Sequence, residues 1–133
     1  MTDQQRIKYL RYALRVSGAI MVFGFYPLTI IWPAGWSWHA GQSAYLSMII
    51  GIYATLGIFL LKAAHDPLGH LSLIQFTIWS SLVHGGIMAV QSLVDSAHIG
   101  HLVGDVLALF IVAAVLAILT PRRVKPTLTE HAT

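Results

Sequence analysis

Residues 98–120 read HIGHLVGDVLALFIVAAVLAILT: two histidines and an aspartate, then fifteen residues without a charge. A helix rises about 1.5 Å per residue, so roughly 20 apolar residues cross the ~30 Å hydrocarbon layer of a bilayer. Residues 101–120 have that length and are almost wholly apolar. A lipid-crossing helix must satisfy every backbone donor within itself, which the unbroken apolar run allows. The stretch therefore predicts a membrane span with an ionisable cluster, His98, His101 and Asp105, at its mouth.

Three more stretches repeat the pattern. Spans are expected over 10–32, 43–64, 70–93 and 101–120, with 1–9 and 121–133 as polar tails. No run alternates in the way barrel strands do. The expected architecture is all-α: a transmembrane four-helix bundle running up-down-up-down. The whole chain supports this reading, since 56% of its 133 residues are hydrophobic, 10% are charged, and the mean hydropathy is +0.72. A soluble domain carries about 25% charged residues. With no cysteine, thiolate metal sites, iron–sulfur clusters and disulfides are excluded.

The basic residues set the expected orientation. Arg6, Lys8, Arg11 and Arg15 lie at the start, Lys62 in the second link, and Arg122, Arg123 and Lys125 near the end. The first and third links have none. The positive-inside rule then puts both termini in the cytoplasm and the first and third links outside, in the inner (plasma) membrane of a bacterium. A pI near 9.5 does not imply nucleic acid here, because the basic residues flank spans and form no patch. The first apolar stretch lacks a small-x-small cleavage site, so it is expected to be retained rather than removed as a signal peptide.

Punctuation along the chain agrees with this layout. Pro27 predicts a kink toward the outer end of the first span. WPAGWSWHAGQ (32–42) places Trp32, Trp36 and Trp38 together, as an interfacial aromatic belt would. Asp66-Pro67-Leu68-Gly69 is turn chemistry, and His65 and His70 beside it are read as part of that turn. Asp95 or Ser96 is expected to cap the entrance to the fourth helix. Gly18, Gly24, Gly51, Gly57, Gly85 and Gly86 are expected at close helix contacts.

Within this frame the polar residues sort by depth. His84, Met88, Gln91 and Asp95 are spaced four, three and four, and so share one face of the third helix, extended inward by Thr77 and Ser80. His98, His101 and Asp105 share one face at the fourth. An ionisable side chain inside a span is costly, faces protein or water, and marks a functional site by default. The two stripes predict an outward-facing cavity with His39, His98 and His101 at its rim, Asp105 and Gln91 lower, and His84 at its floor. His84, Gln91 and Asp105 are the expected ligand-contacting groups. The pattern H-x-x-H-x-x-x-D, with His39 nearby, has ligands suited to a divalent zinc or copper ion. Bis-histidine haem is disfavoured because no second histidine lies at the depth of His84. No nucleophile elbow, phosphate loop or paired carboxylates are present, so the reading leans away from an enzyme without deciding it.

The runs GIYATLGIFLLKAAHDP (51–67), LIQFTIWSSLVHGGIMAVQSL (73–93) and GHLVGDVLAL (100–109) resemble an uncharacterised family of small four-span bacterial membrane proteins. The resemblance extends from about Gly24 to Pro121 and implies the four-span topology without implying an activity. A looser architectural likeness joins the chain to DoxX-type membrane proteins, some of which are linked to quinone or thiosulfate chemistry. Small size and glycine-bearing faces favour an accessory or assembly subunit of a membrane complex, or a homo-oligomer. The first alternative is a protein that binds a metal ion, quinone or other small ligand in the His/Asp cavity. The second is an oligomeric transporter or proton-conducting protein using His84 and Asp105.

Overall fold

A computed structural model describes residues 1–38 and 43–121. His39 lies outside the described residues, as do Arg122, Arg123 and Lys125. Among the described residues all regular structure is helical, and four helical spans are long and apolar enough to cross a membrane. The chain is a multi-pass membrane protein whose outer surface is apolar: Phe23, Tyr45, Phe76 and Trp79 project from it.

The first span, Asp3–Ile31, begins earlier than its apolar core. Helix α1 (Asp3–Ala19) is started by a capping box, in which Thr2 Oγ1 accepts from the Gln5 amide at 3.3 Å and Gln5 Oε1 from the Thr2 amide at 3.0 Å. The helix widens into a π turn at Ile20–Gly24 and resumes as α2 (Phe25–Ile31). The wide turn falls just ahead of Pro27. That proline has no N–H to donate, and its ring presses on the carbonyl of Phe23 in a regular α-helix. The irregularity expected at Pro27 thus lies within the preceding turn. Trp32, forced out of the helical region by the following proline, ends α2 at φ −136°. Pro33 then opens the short helix α3 (Pro33–Trp36).

Helix α4 (Ala44–Ala63) returns across the bundle. It meets α1 at a glycine pair: a Cβ on Gly18 would lie 2.7 Å from the Gly57 carbonyl oxygen, and one on Gly57 2.7 Å from that of Gly18. The backbones touch because neither residue has a side chain. Of the other glycines, Gly51 and Gly86 have open space where a side chain would be, Gly24 meets only its own helix, and Gly85 packs at ordinary distance on Leu109 and Phe110. The turn to the next helix works as its residues suggest, with Asp66 Oδ1 accepting from the Gly69 amide at 3.3 Å and the Asp66 carbonyl 2.8 Å from His70 Nδ1.

Helix α5 (Leu71–Val94) buries Ile74, Ile78, Ser81, Gly85, Met88 and Ser92, a repeat of four and three that forms its seam with the last helix. The last helix, α6, covers Asp105–Leu119 and is shorter than the span expected from 101. Ser96–Leu102 is instead a 3₁₀ turn, started by Asp95 Oδ1 accepting from the Ala97 amide at 3.0 Å. His98 and His101 belong to this turn, with Gly104 as the break before α6.

Long contacts fix the arrangement of the spans. Arg6 donates to the Ile118 carbonyl at 3.4 Å, so the start of α1 and the end of α6 share one end, the termini end. At the opposite, far end, α3 packs on the 3₁₀ turn, and a Cβ on Gly104 would collide with the Gly35 carbonyl. Helix α1 touches both α4 and α6, α5 packs along α6, and α4 and α5 scarcely meet. The termini half is filled by Leu10, Leu14, Leu60, Ile74, Ala113 and Leu116, all buried. The far half is not filled in this way.

Candidate functional site

The site begins with a carboxylate that composition alone would place in lipid. Asp105 is the first residue of α6 and only 5% exposed. Burying an ionised carboxylate requires donors. Two side chains supply them: Nδ1 of His101 lies 3.0 Å from both Asp105 oxygens, and Nε1 of Trp38 donates to Oδ2 at 3.2 Å. Because a carboxylate only accepts, the pattern assigns the His101 proton to Nδ1. The free amides and dipole of the α6 N-terminus add positive potential on the same side.

His101 is itself 1% exposed. Its ring stacks on Trp38 at 4.2 Å between centroids, and the other side chain stacked on Trp38 is His98, at 4.7 Å. His98 Nε2 lies 3.7 Å from Asp95 Oδ2, where both residues reach solvent. The 3₁₀ turn decides this cluster. His98 and His101 lie three residues apart on a turn of three residues, so both rings face the link that carries Trp38. Among the described residues, no group of three His, Asp and Glu side chains is placed to hold a metal ion.

Below this cluster the far half of the bundle is hollow. A cavity of about 240 Å³ lies among the spans, walled by Phe25, Trp36, Tyr53, His84, Met88 and Asp105, with Ser17 of α1, apolar side chains of the π turn and aliphatic ones of α6 completing it. His84 is ten residues from the Val94 end of α5, about 15 Å at 1.5 Å per residue, near mid-bilayer. Tyr53 connects the walls, stacking on Phe25 at 5.3 Å and meeting the edge of His84 at 6.0 Å. The other ring contact of Phe25 is edge-on to Trp36 at 5.5 Å. Trp36 Nε1 is buried without a hydrogen-bond partner.

His84 and Asp105 therefore line one chamber. Gln91 does not: it is exposed and faces a separate groove between α4 and α5, bounded by Trp38, Tyr45, Leu46, Ile49, His84 and Met88. The reason is angular. Gln91 lies one residue before Ser92, which is in the α5–α6 seam, and one residue turns a side chain by about 100° toward α4. Thr77 and Ser81, buried in the seam, bond or pack within the dry half.

Trp36, Trp38, Tyr53 and Phe25 are site residues that span-by-span reading does not select. Three tryptophans in one link are a visible signal, but an interfacial belt accounts for them equally well. Only the fold of α3 onto the 3₁₀ turn separates Trp38, which serves the carboxylate, from Trp36, which walls the cavity.

A family model described as "Family of unknown function (DUF6632)" matches residues 4–127. The chain belongs to that family. Ferric-chelate reductase 1 of Bos taurus is 30% identical to this DUF6632 chain over 83 residues, which are 60% of the chain and 14% of the reductase. The DUF6632 chain thus spans a small part of that relative's length. No solved structure matches it.

Proposed function

We propose that this protein binds a small planar ring compound of the quinone and quinol class within the bilayer. The observation that carries the reading is an apolar cavity walled by the rings of Phe25, Trp36 and Tyr53 that also holds His84 and Asp105. Size supports it. At about 240 Å³ the cavity exceeds the roughly 150 Å³ that accepts a benzene ring and falls below the ~300 Å³ where drug-sized sites begin. Its walls are aromatic faces, against which a ring stacks. The polar groups match the two redox forms. Quinone oxygens only accept, and Tyr53 and His84 can donate; quinol hydroxyls donate, and Asp105 accepts.

The bovine relative is a reductase, which supports a redox setting. The basic residues at the termini end support an orientation with that end in the cytoplasm of a bacterium and the cavity toward the outer leaflet. The accessory-subunit and homo-oligomer readings have less support, because the closest glycine pair, Gly18 and Gly57, is used within the chain.

The test uses purified protein in lipid nanodiscs. Quinone extracted by solvent and identified by mass spectrometry should accompany the wild type. Added decylubiquinone should quench tryptophan fluorescence saturably. Ala108→Phe, which places a ring in the cavity from its α6 wall, should abolish both signals, and Trp36→Phe should remove the saturable quenching. Wild-type protein without bound quinone and with only linear quenching would overturn the reading.

A further inference from the structure

The cavity among the spans is not the only space that reaches the buried pair. A cleft of about 230 Å³ at the far end is lined by Pro33, Ala34, Ser37, Trp38, Ala97, His98 and His101. No residue lines both the cleft and the cavity. What joins them is a pair of side chains: His101 belongs to the cleft, Asp105 to the cavity, and the two lie 3.0 Å apart. From these juxtaposed spaces we infer that His101 and Asp105 form a proton relay between the intramembrane cavity and the aqueous far end of the bundle.

The chemistry requires no group that the chain lacks. With the His101 proton on Nδ1, an inbound proton from the cleft binds Nε2, the Nδ1–H bond breaks as the Asp105 carboxyl O–H forms, and the ring is left neutral with its proton on Nε2. Run backward, the carboxyl returns its proton to Nδ1 and Nε2 releases one to the cleft; the protonated carboxyl can instead give its proton to an acceptor in the cavity. Imidazole suits this step because it accepts at one nitrogen and gives at the other. The groups facing the relay fit their places. Trp38 holds the pair in position from the first link, Tyr53 and His84 face it across the cavity, and His98 with Asp95 stands at the outer mouth, where both reach solvent. Beyond the cavity, toward the termini, Leu10, Leu14, Leu60 and Leu116 fill the bundle, so the path is one-sided and is not a channel.

The relay shares the cavity with the ligand proposed above, but its test needs no ligand. In nanodiscs, a laser-triggered release of protons from a caged acid is followed by time-resolved infrared spectroscopy. The Asp105 carboxyl band is identified by its loss in Asp105→Asn. His101→Gln is the decisive variant, because its amide still donates to Asp105 but has no second nitrogen to exchange. The expected result is slowing of Asp105 protonation by roughly a hundredfold, the lower range for a positioned proton-transfer group. Trp38→Phe, which keeps the stack and loses only the N–H, should leave the rate within a few-fold of wild type. Equal rates in the wild type and His101→Gln would overturn the relay, and so would the absence of any Asp105 band. Either failure leaves quinone binding to stand on its own measurements.

Discussion

The two halves of the bundle use the same helices and solve opposite problems. In the termini half, α1, α4, α5 and α6 close on a packed set of leucine, isoleucine and alanine side chains. In the far half the apolar cluster is small, consisting of Met88, Val106 and Leu109, and it borders a cavity edged by Asp105, whose partner His101 stands behind it. Both halves lie within hydrocarbon-length spans, so lipid cannot account for the difference. What differs is side-chain shape. The termini half presents branched aliphatic groups that interdigitate, whereas the far half presents flat rings from Phe25, Trp36 and Tyr53 that meet face to face or edge to face and leave space beside them. Packing in a dry half keeps the spans aligned while the hollow half holds polar groups, and that division lets stability and site chemistry be perturbed separately.

The sharpest way to break the contrast is to hollow the packed half. Leu60→Ala removes a fully buried side chain where the surrounding backbone cannot follow, and should cost about 2–5 kcal/mol of unfolding free energy in mixed micelles. A loss under about 1 kcal/mol would mean that this half is not packed as described.

The glycine crossing comes next. Gly57→Ala puts a methyl group against the Gly18 carbonyl and should destabilise by about 1–3 kcal/mol through overpacking. Gly51→Ala, six residues earlier on the same helix, meets open space and should change stability by no more than about 0.5 kcal/mol in either direction. Comparable thermal shifts in the two variants would remove the crossing from the account.

The smallest effect has the opposite sign. Ser92 is fully buried in the α5–α6 seam, and its hydroxyl has no partner. Ser92→Ala removes a desolvated donor without opening a significant void. It should stabilise the protein by about 0.5–1 kcal/mol, the order of an unmet hydrogen bond in the far half. Destabilisation in the same unfolding assay would show that the hydroxyl is bonded.

Much of the bundle was legible because the governing quantity is one-dimensional. Apolar length decides whether a segment crosses a bilayer, and four helical spans of that length are present among the described residues. Their boundaries were less legible. The capping box starts α1 at Asp3 although the apolar run begins later, and the 3₁₀ turn delays α6 to Asp105. The cavity was legible in outline, since helical spacing pointed His84 and Asp105 inward from neighbouring spans. Gln91 shows where spacing runs out: it shares a stripe with His84 and Met88, and all three line the α4–α5 groove, yet only His84 and Met88 also reach the cavity. A stripe has width, and the position of the neighbouring helix decides which edge of it is covered.

By itself, the sequence determined that four apolar rods cross a membrane and that an aspartate and several histidines gather toward one end, because length and charge act on each segment alone. Tertiary structure decided that Trp38 donates to Asp105, that Tyr53 and Trp36 wall a cavity, and that His101 stands between that cavity and the cleft. Those are contacts between residues as many as 67 positions apart, set by how closely backbones approach at Gly18, Gly57 and Gly104. No property of a single segment encodes that distance of approach.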